Sequence, residues 1–288
     1  MVEIKRIAVL GAGLMGHGIA QVAAQVGKYD VNLRDVEQRF VDNGVSMIKE
    51  SLQRFVKKGQ LTEADMNATL ARIHPTLDLR EAVATADLII EAVPENLELK
   101  KTTFREVDNY APAHAILASN TSSVSITEMA SATKRPERIC GMHFFNPPQL
   151  MKLIEVVRGA KTSDETVETI FAVARKLEKE TVLVKKDSPG FIVNRILVPA
   201  LNEAVALWWE GVADRDDIDK AIKLGLNWPM GPLMLLDYIG SDTTLAIAEV
   251  LTKELDPKFH PAVGLKEMAK AQLLGRKSGK GFYDWTQK

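Results

Sequence analysis

Six residues, Gly11-Ala-Gly13-Leu14-Met15-Gly16, constrain this chain more than any others. They follow a short apolar run, Ile7-Ala-Val-Leu10, and open a helical pattern that continues from Leu14 to Val26. Glycines at the first, third and sixth places of a strand-to-helix turn answer three physical demands. Gly11 permits a tight turn, Gly13 lets backbone approach a pyrophosphate, and Gly16 lets helix and strand pack closely. The helix N-terminus then offers unpaired N–H groups and the positive end of its dipole to phosphate. A dinucleotide is therefore expected on this loop, in contact with Gly11, Gly13, Leu14, Met15 and Gly16. An ordinary glycine-rich turn is the alternative, and an acid at the right distance argues against it.

That acid is Asp35, at the end of the second strand pattern and nineteen residues beyond Gly16. Its carboxylate suits the two hydroxyls of an adenosine ribose and repels a 2′-phosphate, so NAD is expected rather than NADP. Arg34 stands next to it, and an arginine there can accommodate the extra phosphate. On an extended strand, however, neighbours point to opposite sides.

Short apolar runs alternate with helical patterns through the first half. Ile7–Leu10, Val31–Leu33, Leu88–Ile90 and Ile116–Ala118 read as buried parallel strands, with helices over 14–26 and 97–110 between them. The expected architecture is α/β, a Rossmann-type doubly wound sheet. Two helical stretches from Val36 to Ile73, joined near Lys57-Lys58-Gly59, form an inserted helical hairpin standing off the sheet, the second capped by Thr62. Further strands are expected at 139–145, 152–157 and 182–184, with a helix over about 163–180. At Asp187-Ser-Pro-Gly190 the pattern becomes wholly helical, with Pro199, Pro229 and Pro232 marking bends or helix starts. Residues 1–187 are thus expected to bind the dinucleotide, and residues 188–288 to form an all-helical C-terminal domain. A length of 288 residues, 46% of them hydrophobic, suits two such cores.

Lys and Arg (37) nearly cancel Asp and Glu (38), which removes the basic excess expected of a nucleic-acid binder. The single cysteine, Cys140, excludes an intrachain disulfide and a thiolate cluster, and fits a reducing, cytoplasmic setting. The apolar stretch 7–26 is interrupted by glycines, His17 and glutamines, so neither a signal peptide nor a membrane span is expected.

Candidate chemistry lies downstream. His143, one of five histidines, sits near the C-terminal end of a strand, the edge where open α/β sheets bind ligands. Alone it reads first as a satisfied structural residue. Glu155 lies inside Leu153-Ile-Glu-Val-Val157, where a buried carboxylate is costly without a partner. Were the two strands neighbours, Glu155 would fix the imidazole tautomer and stabilise the imidazolium; otherwise it faces solvent or pairs with Lys152 or Arg158. Ser122, in Ser119-Asn-Thr-Ser-Ser123, offers a hydroxyl for a carbonyl, or a helix cap. The cap is already supplied by Ser125-Ile-Thr-Glu128. Asn194, in Pro189-Gly-Phe-Ile-Val-Asn194, is a polar residue that either packs or faces the same crevice.

Leu117-Ala-Ser-Asn-Thr-Ser-Ser123, Met142-His-Phe-Phe-Asn-Pro147, Pro189–Arg195 and Gly275-Arg-Lys-Ser-Gly-Lys-Gly-Phe-Tyr283 are together specific. With the glycine loop they make the chain, over essentially its whole length, resemble the short-chain 3-hydroxyacyl-CoA dehydrogenases, nearest the 3-hydroxybutyryl-CoA type. The resemblance implies an NAD-dependent, reversible oxidation of an (S)-3-hydroxyacyl-CoA. It makes His143 the base, Glu155 its orienting group, and Ser122 and Asn194 hydrogen-bonding partners of the substrate oxygen. It places Glu95, Lys100, Ser122, Asn146 and Lys277 towards the nicotinamide end of NAD. It places Ser51 and Lys58 against coenzyme A, and implies a homodimer formed through the C-terminal domain. Two departures stand out: Pro147-Pro-Gln-Leu-Met151 where relatives often carry Pro-x-Pro-Val or Pro-x-Pro-Met, and one extra residue in the turn Gly27–Asp30. A same-fold dehydrogenase of a free hydroxy or sugar acid, or a non-catalytic NAD-binding relative, are the rival readings.

Overall fold

The first apolar run becomes the inner strand of an eight-stranded sheet, because its residues are buried on both faces. In the computed structural model, which describes residues 2–286, β1 (Arg6–Leu10) pairs in parallel with both β2 (Asp30–Arg34) and β4 (Leu88–Glu91). Helix α1 (Gly16–Gln25) links β1 to β2. The hairpin insert is α2 (Gln38–Lys57) and α3 (Glu63–Leu70), followed by β3 (Ile73–Thr76) and α4 (Leu79–Val83). Next come α5 (Leu97–Tyr110), β5 (Ile116–Ser119), α6 (Ile126–Ala130), β6 (Ile139–Phe144), β7 (Leu153–Arg158), α7 (Asp164–Lys176) and β8 (Glu180–Val184). The sheet order is β3-β2-β1-β4-β5-β6-β7-β8, parallel throughout except between β6 and β7. The chain direction of the winding reverses between β1 and β4, which opens a crevice at their C-terminal ends.

Three local expectations are corrected. The hairpin does not stand clear of the sheet: Ile48 and Leu52 of α2 have no exposed surface and join the sheet's core. Thr62 caps α3 by accepting from Asp65 N, as its sequence suggests. Ile73 belongs to β3, whose Pro75 is tolerated because β3 is an edge strand that leaves one side unpaired. Helix α7 ends at Lys176 rather than near 180, since Glu178 turns into the left-handed region (φ 55°) and starts β8 two residues later.

The chain divides between Ser188 and Pro189. The second unit comprises α8 (Val193–Trp209), α9 (Arg215–Gly225), α10 (Pro232–Ile239), α11 (Ser241–Glu254) and α12 (Val263–Lys270). Pro232 occupies the first position of α10, whereas Pro199 lies inside α8, where it removes one helical donor. Leu201, Val205, Leu233, Leu236 and Leu265 form its core. Buried Asp237 accepts from Phe282 N, Tyr283 N and Trp285 Nε1, which ties the C-terminal loop to α10. Among the described residues no helix is long and apolar enough to cross a membrane.

Candidate active site

The glycine loop meets its three demands with different geometry at each position. Gly11 has φ +99° and donates its N–H to Arg34 O (2.8 Å); a Cβ there would lie 2.5 Å from Ala92 O. A Cβ on Gly16 would lie 1.7 Å from Gly11 O, so the loop closes on itself as well as on Val9. Around Gly13 a Cβ would meet nothing within 4 Å, which leaves that backbone open to a ligand. Leu14 is exposed and Met15 half-buried. His17 Nδ1 is 2.8 Å from Gly13 O, so that ring nitrogen donates and pins the loop.

Asp35 follows β2, where Arg34 pairs with Leu10. The longer turn before β2 is absorbed by a left-handed Lys28 (φ 56°), and the acid arrives beside the loop. Its two oxygens accept from Ala12 N and Val36 N, both at 2.7 Å. Arg34 Nε donates to Leu77 O at 3.1 Å. An open glycine backbone, a helix N-terminus and a carboxylate at the end of β2 fit NAD.

His143 and Glu155 stand directly opposite each other in the antiparallel β6–β7 ladder, which puts both side chains on one face. Nδ1 and Oε2 are 2.8 Å apart. His143 is 5% exposed and Glu155 0%, so the glutamate neither faces solvent nor pairs with Lys152 or Arg158. Arg158 bonds Thr162 O (3.1 Å) and Asp164 instead. A carboxylate accepts only, so Nδ1 carries the proton and Nε2 has a lone pair. The Phe145 ring lies 4.6 Å from the imidazole.

The serine cluster after β5 is organised by Glu95. Its Oε1 accepts from Ser122 N (3.0 Å), Ser123 N (3.1 Å), Ser123 Oγ (3.1 Å) and Thr121 Oγ1 (2.5 Å). Ser122 Oγ is 3.5 Å away and the residue is half-buried. Burial pushes Glu95 up, but Lys100 and the hydroxyl of Thr121 outweigh it and hold the carboxyl below its ordinary value. Ser125 caps α6 through Glu128 N (3.2 Å), and Asp187 completes the cap by accepting from Ser125 Oγ and Thr127 N. Ser122 is thus left out of the capping. Asn120, which the sequence did not single out, accepts from Phe144 N (2.8 Å) and holds the cluster to the histidine strand.

The other expected residues divide. Lys100 is 1% exposed and spends its ammonium on Glu91, Glu95 and Val93 O, so it supports Glu95 from behind. Asn146, at a cis bond to Pro147, is exposed. The loop 145–152 beyond it is anchored by Lys179 Nζ on Pro148 O (2.7 Å) and Met151 O (2.8 Å), and by Gln149 Nε2 on Gln21 Oε1 (3.0 Å) of α1. Ser51 is buried on α2's inner stripe, whereas Lys58 at its C-cap is exposed; seven residues apart, they share one side of the helix. In the second unit, Asn194 is half-buried in the first turn of α8. Lys277 pairs with Asp242 and lies 3.2 Å from Thr243 Oγ1. Among the described residues no group of three His, Cys, Asp or Glu side chains could hold a metal ion. Cys140 is fully buried, its thiol pushed up to about 12 by burial, and is inert.

A buried imidazole with a fixed tautomer, set in a sheet with a dinucleotide loop, can take the hydroxyl proton of an alcohol whose carbon loses hydride. Residues 6–188 match the family description "3-hydroxyacyl-CoA dehydrogenase, NAD binding domain", and residues 190–285 match "3-hydroxyacyl-CoA dehydrogenase, C-terminal domain". The chain is 48% identical over 287 residues to a probable 3-hydroxybutyryl-CoA dehydrogenase of Bacillus subtilis, covering 99% of each. It is 44% identical over 283 residues to the 3-hydroxybutyryl-CoA dehydrogenase of Clostridioides difficile, covering 98% of this chain and 100% of the other. Among solved structures, the (S)-3-hydroxybutyryl-CoA dehydrogenase of Ralstonia eutropha is similar with a TM-score of 0.93 and 45% identity, over 99% of this chain and 100% of that one.

Proposed function

This chain belongs to the 3-hydroxyacyl-CoA dehydrogenase family, and from that premise we infer how its own residues divide the work. It is an NAD-dependent 3-hydroxyacyl-CoA dehydrogenase of the short-chain, 3-hydroxybutyryl-CoA type. The observation that carries the mechanism is the buried contact between His143 Nδ1 and Glu155 Oε2.

In the oxidising direction His143 Nε2 removes the C3 hydroxyl proton, and Glu155 stabilises the imidazolium that results. NAD, when bound, accepts the hydride. Ser122 and Asn194 hold the reacting oxygen in line, which lowers the barrier by orientation. In the reducing direction the protonated His143 returns its proton to the forming alcohol. Gly11, Gly13, Leu14, Met15 and Gly16 take the pyrophosphate and Asp35 the adenosine ribose. Glu95, Asn146 and Lys277 serve the nicotinamide end, with Lys100 acting through Glu95. Lys58, exposed and cationic, takes a phosphate of coenzyme A, with Ser51 about two turns before it on the same side of the helix. The S configuration at C3 is taken from the similar (S)-3-hydroxybutyryl-CoA dehydrogenase of Ralstonia eutropha.

A homodimer through residues 188–288 is supported by exposed apolar side chains there, among them Ile196, Leu224 and Leu226. A cytoplasmic setting is supported by a lone, buried cysteine. The deciding experiment follows NADH absorbance during acetoacetyl-CoA reduction, with free acetoacetate and NADPH in parallel. Turnover with the thioester and NADH alone is expected. Equal turnover of free acetoacetate would transfer the assignment to a hydroxy-acid dehydrogenase.

A further inference from the structure

Behind the Ser122 loop lies a set of charges that the reaction itself does not use. Glu91 ends β4 and Lys100 lies in the first turn of α5, and each is 1% exposed. Lys100 Nζ stands 2.7 Å from Glu91 Oε1 and 3.1 Å from Glu95 Oε2. Glu91 Oε1 also accepts from Val93 N (2.7 Å), and its Oε2 accepts from Ser119 Oγ (2.6 Å). Every oxygen and the ammonium are satisfied, as wholly buried charges require.

The order of these contacts gives each residue a distinct task. Glu95 keeps 38% of its side-chain surface exposed, so nothing in its own burial selects one rotamer. Lys100 takes Oε2, which leaves Oε1 to gather Ser122 N, Ser123 N and two hydroxyls. Lys100, in turn, is a long flexible side chain with no solvent to receive it. Glu91 beneath it fixes where its ammonium sits. Ser119, one residue before Asn120, joins the same acid to the strand that launches the serine loop.

We propose that Glu91 is a positioning residue for the reaction: it anchors Lys100, Lys100 anchors Glu95, and Glu95 sets the backbone and hydroxyl of Ser122 towards the substrate's reacting oxygen. This rests on the reading of Ser122 as a partner of that oxygen. Glu91 touches neither substrate nor cofactor, and its effect passes wholly through the loop. An amide in its place is the same size and its oxygen can still accept from Lys100, but it removes the negative charge that holds the ammonium, so that end of the relay is loosened.

The test is a double-mutant cycle on acetoacetyl-CoA reduction with NADH. Glu91→Gln is expected to lower kcat about tenfold, with a smaller change in KM, because small misplacements of orienting groups cost rate steeply. On a Ser122→Ala background the same substitution is expected to change kcat less than about twofold, since the two residues act as one unit. An equal loss on both backgrounds would show a merely structural role and overturn the proposal. Should Glu91→Gln fail to fold, Ser119→Ala removes one donor to Glu91 together with the acceptor of Thr121 N and enters the same cycle, with a smaller loss expected and the same dependence on Ser122. A wild-type rate in Ser122→Ala would sink the Ser122 assignment and the proposal with it. A full loss in Ser122→Ala with a wild-type rate in Glu91→Gln would sink the Glu91 proposal alone.

Discussion

His143 Nδ1 and Glu155 Oε2 stand 2.8 Å apart across an antiparallel strand pair, and that contact fixes which imidazole nitrogen carries the proton of the neutral ring. Glu155→Gln preserves the shape but removes the charge that stabilises the imidazolium. Its kcat is expected to fall by about 10²–10⁴, with NADH affinity retained. Glu155→Ala leaves the imidazole without this partner and is expected to cost about 1–3 kcal/mol in urea unfolding. An unaltered kcat in the glutamine variant would remove Glu155 from the mechanism.

The glycine loop yields a contrast between two equally small changes. A methyl on Gly16 has backbone 1.7 Å away, whereas one on Gly13 has open space. Gly16→Ala is expected to lose about 2 kcal/mol or more of stability together with cofactor binding. Gly13→Ala should unfold like the parent yet bind NADH more weakly, as titration by fluorescence would show. Matching losses of stability in both would refute the assignment of Gly13 to the ligand.

Asp35 holds two backbone N–H groups and is assigned to the adenosine ribose. Charge-assisted hydrogen bonds contribute about 1.5–3 kcal/mol each, so Asp35→Asn should raise KM for NADH about 10- to 100-fold. The preference for NADH over NADPH should narrow at the same time. A ratio that does not move would shift cofactor choice to Arg34.

His17 links the loop to acid pH. Burial holds its imidazole below the ordinary value of 6.5, Gly13 O opposes the shift, and the charge of Arg54 adds to it. The unfolded chain therefore takes up the proton first as pH falls. Stability from this group is complete above 6.5 and is lost as pH drops through the lower folded value. His17→Gln should flatten the decline that sets in as pH falls below 6.5, and parallel unfolding profiles for both proteins would be evidence against it.

Lys58 is exposed at the end of α2. Lys58→Glu is expected to raise KM for acetoacetyl-CoA about tenfold at low salt, and less at high salt, with kcat little changed. Insensitivity of KM to both charge and salt would release Lys58 from coenzyme A.

The parts of the fold that sequence made legible are those where residue type and spacing answer a single demand. The glycine loop, the buried runs of β1, β4 and β5, and the acid inside β7 are of this kind. Edge strand β3 was hidden by Pro75, because a proline counts against a strand unless its edge position is known. The hairpin's closeness to the core was hidden because α2 carries an amphipathic stripe that suits packing or ligand cover equally well. Asn120 and Thr121 carry no pattern of their own, and only the meeting of β5, β6 and α5 gives them partners. Glu91 did leave a trace, as an acid ending the apolar run Leu88–Ile90. The argument applied to Glu155, that such an acid needs a partner, points equally to it.

The one antiparallel pairing in this sheet separates two properties that enzymes often have to change together. His143 and Glu155 sit on the stem of a hairpin, where the ladder fixes their meeting, while residues 145–152 form its tip, with Lys179 as a separate anchor. Replacing the tip, even with one of different length, leaves the acid–base pair in register as long as the stem pairs as before. The tip is thus a graft point. New side chains at Gln149, Leu150 or Met151 can be tried in combination, by natural drift or by library selection, on a catalyst whose proton chemistry stays intact.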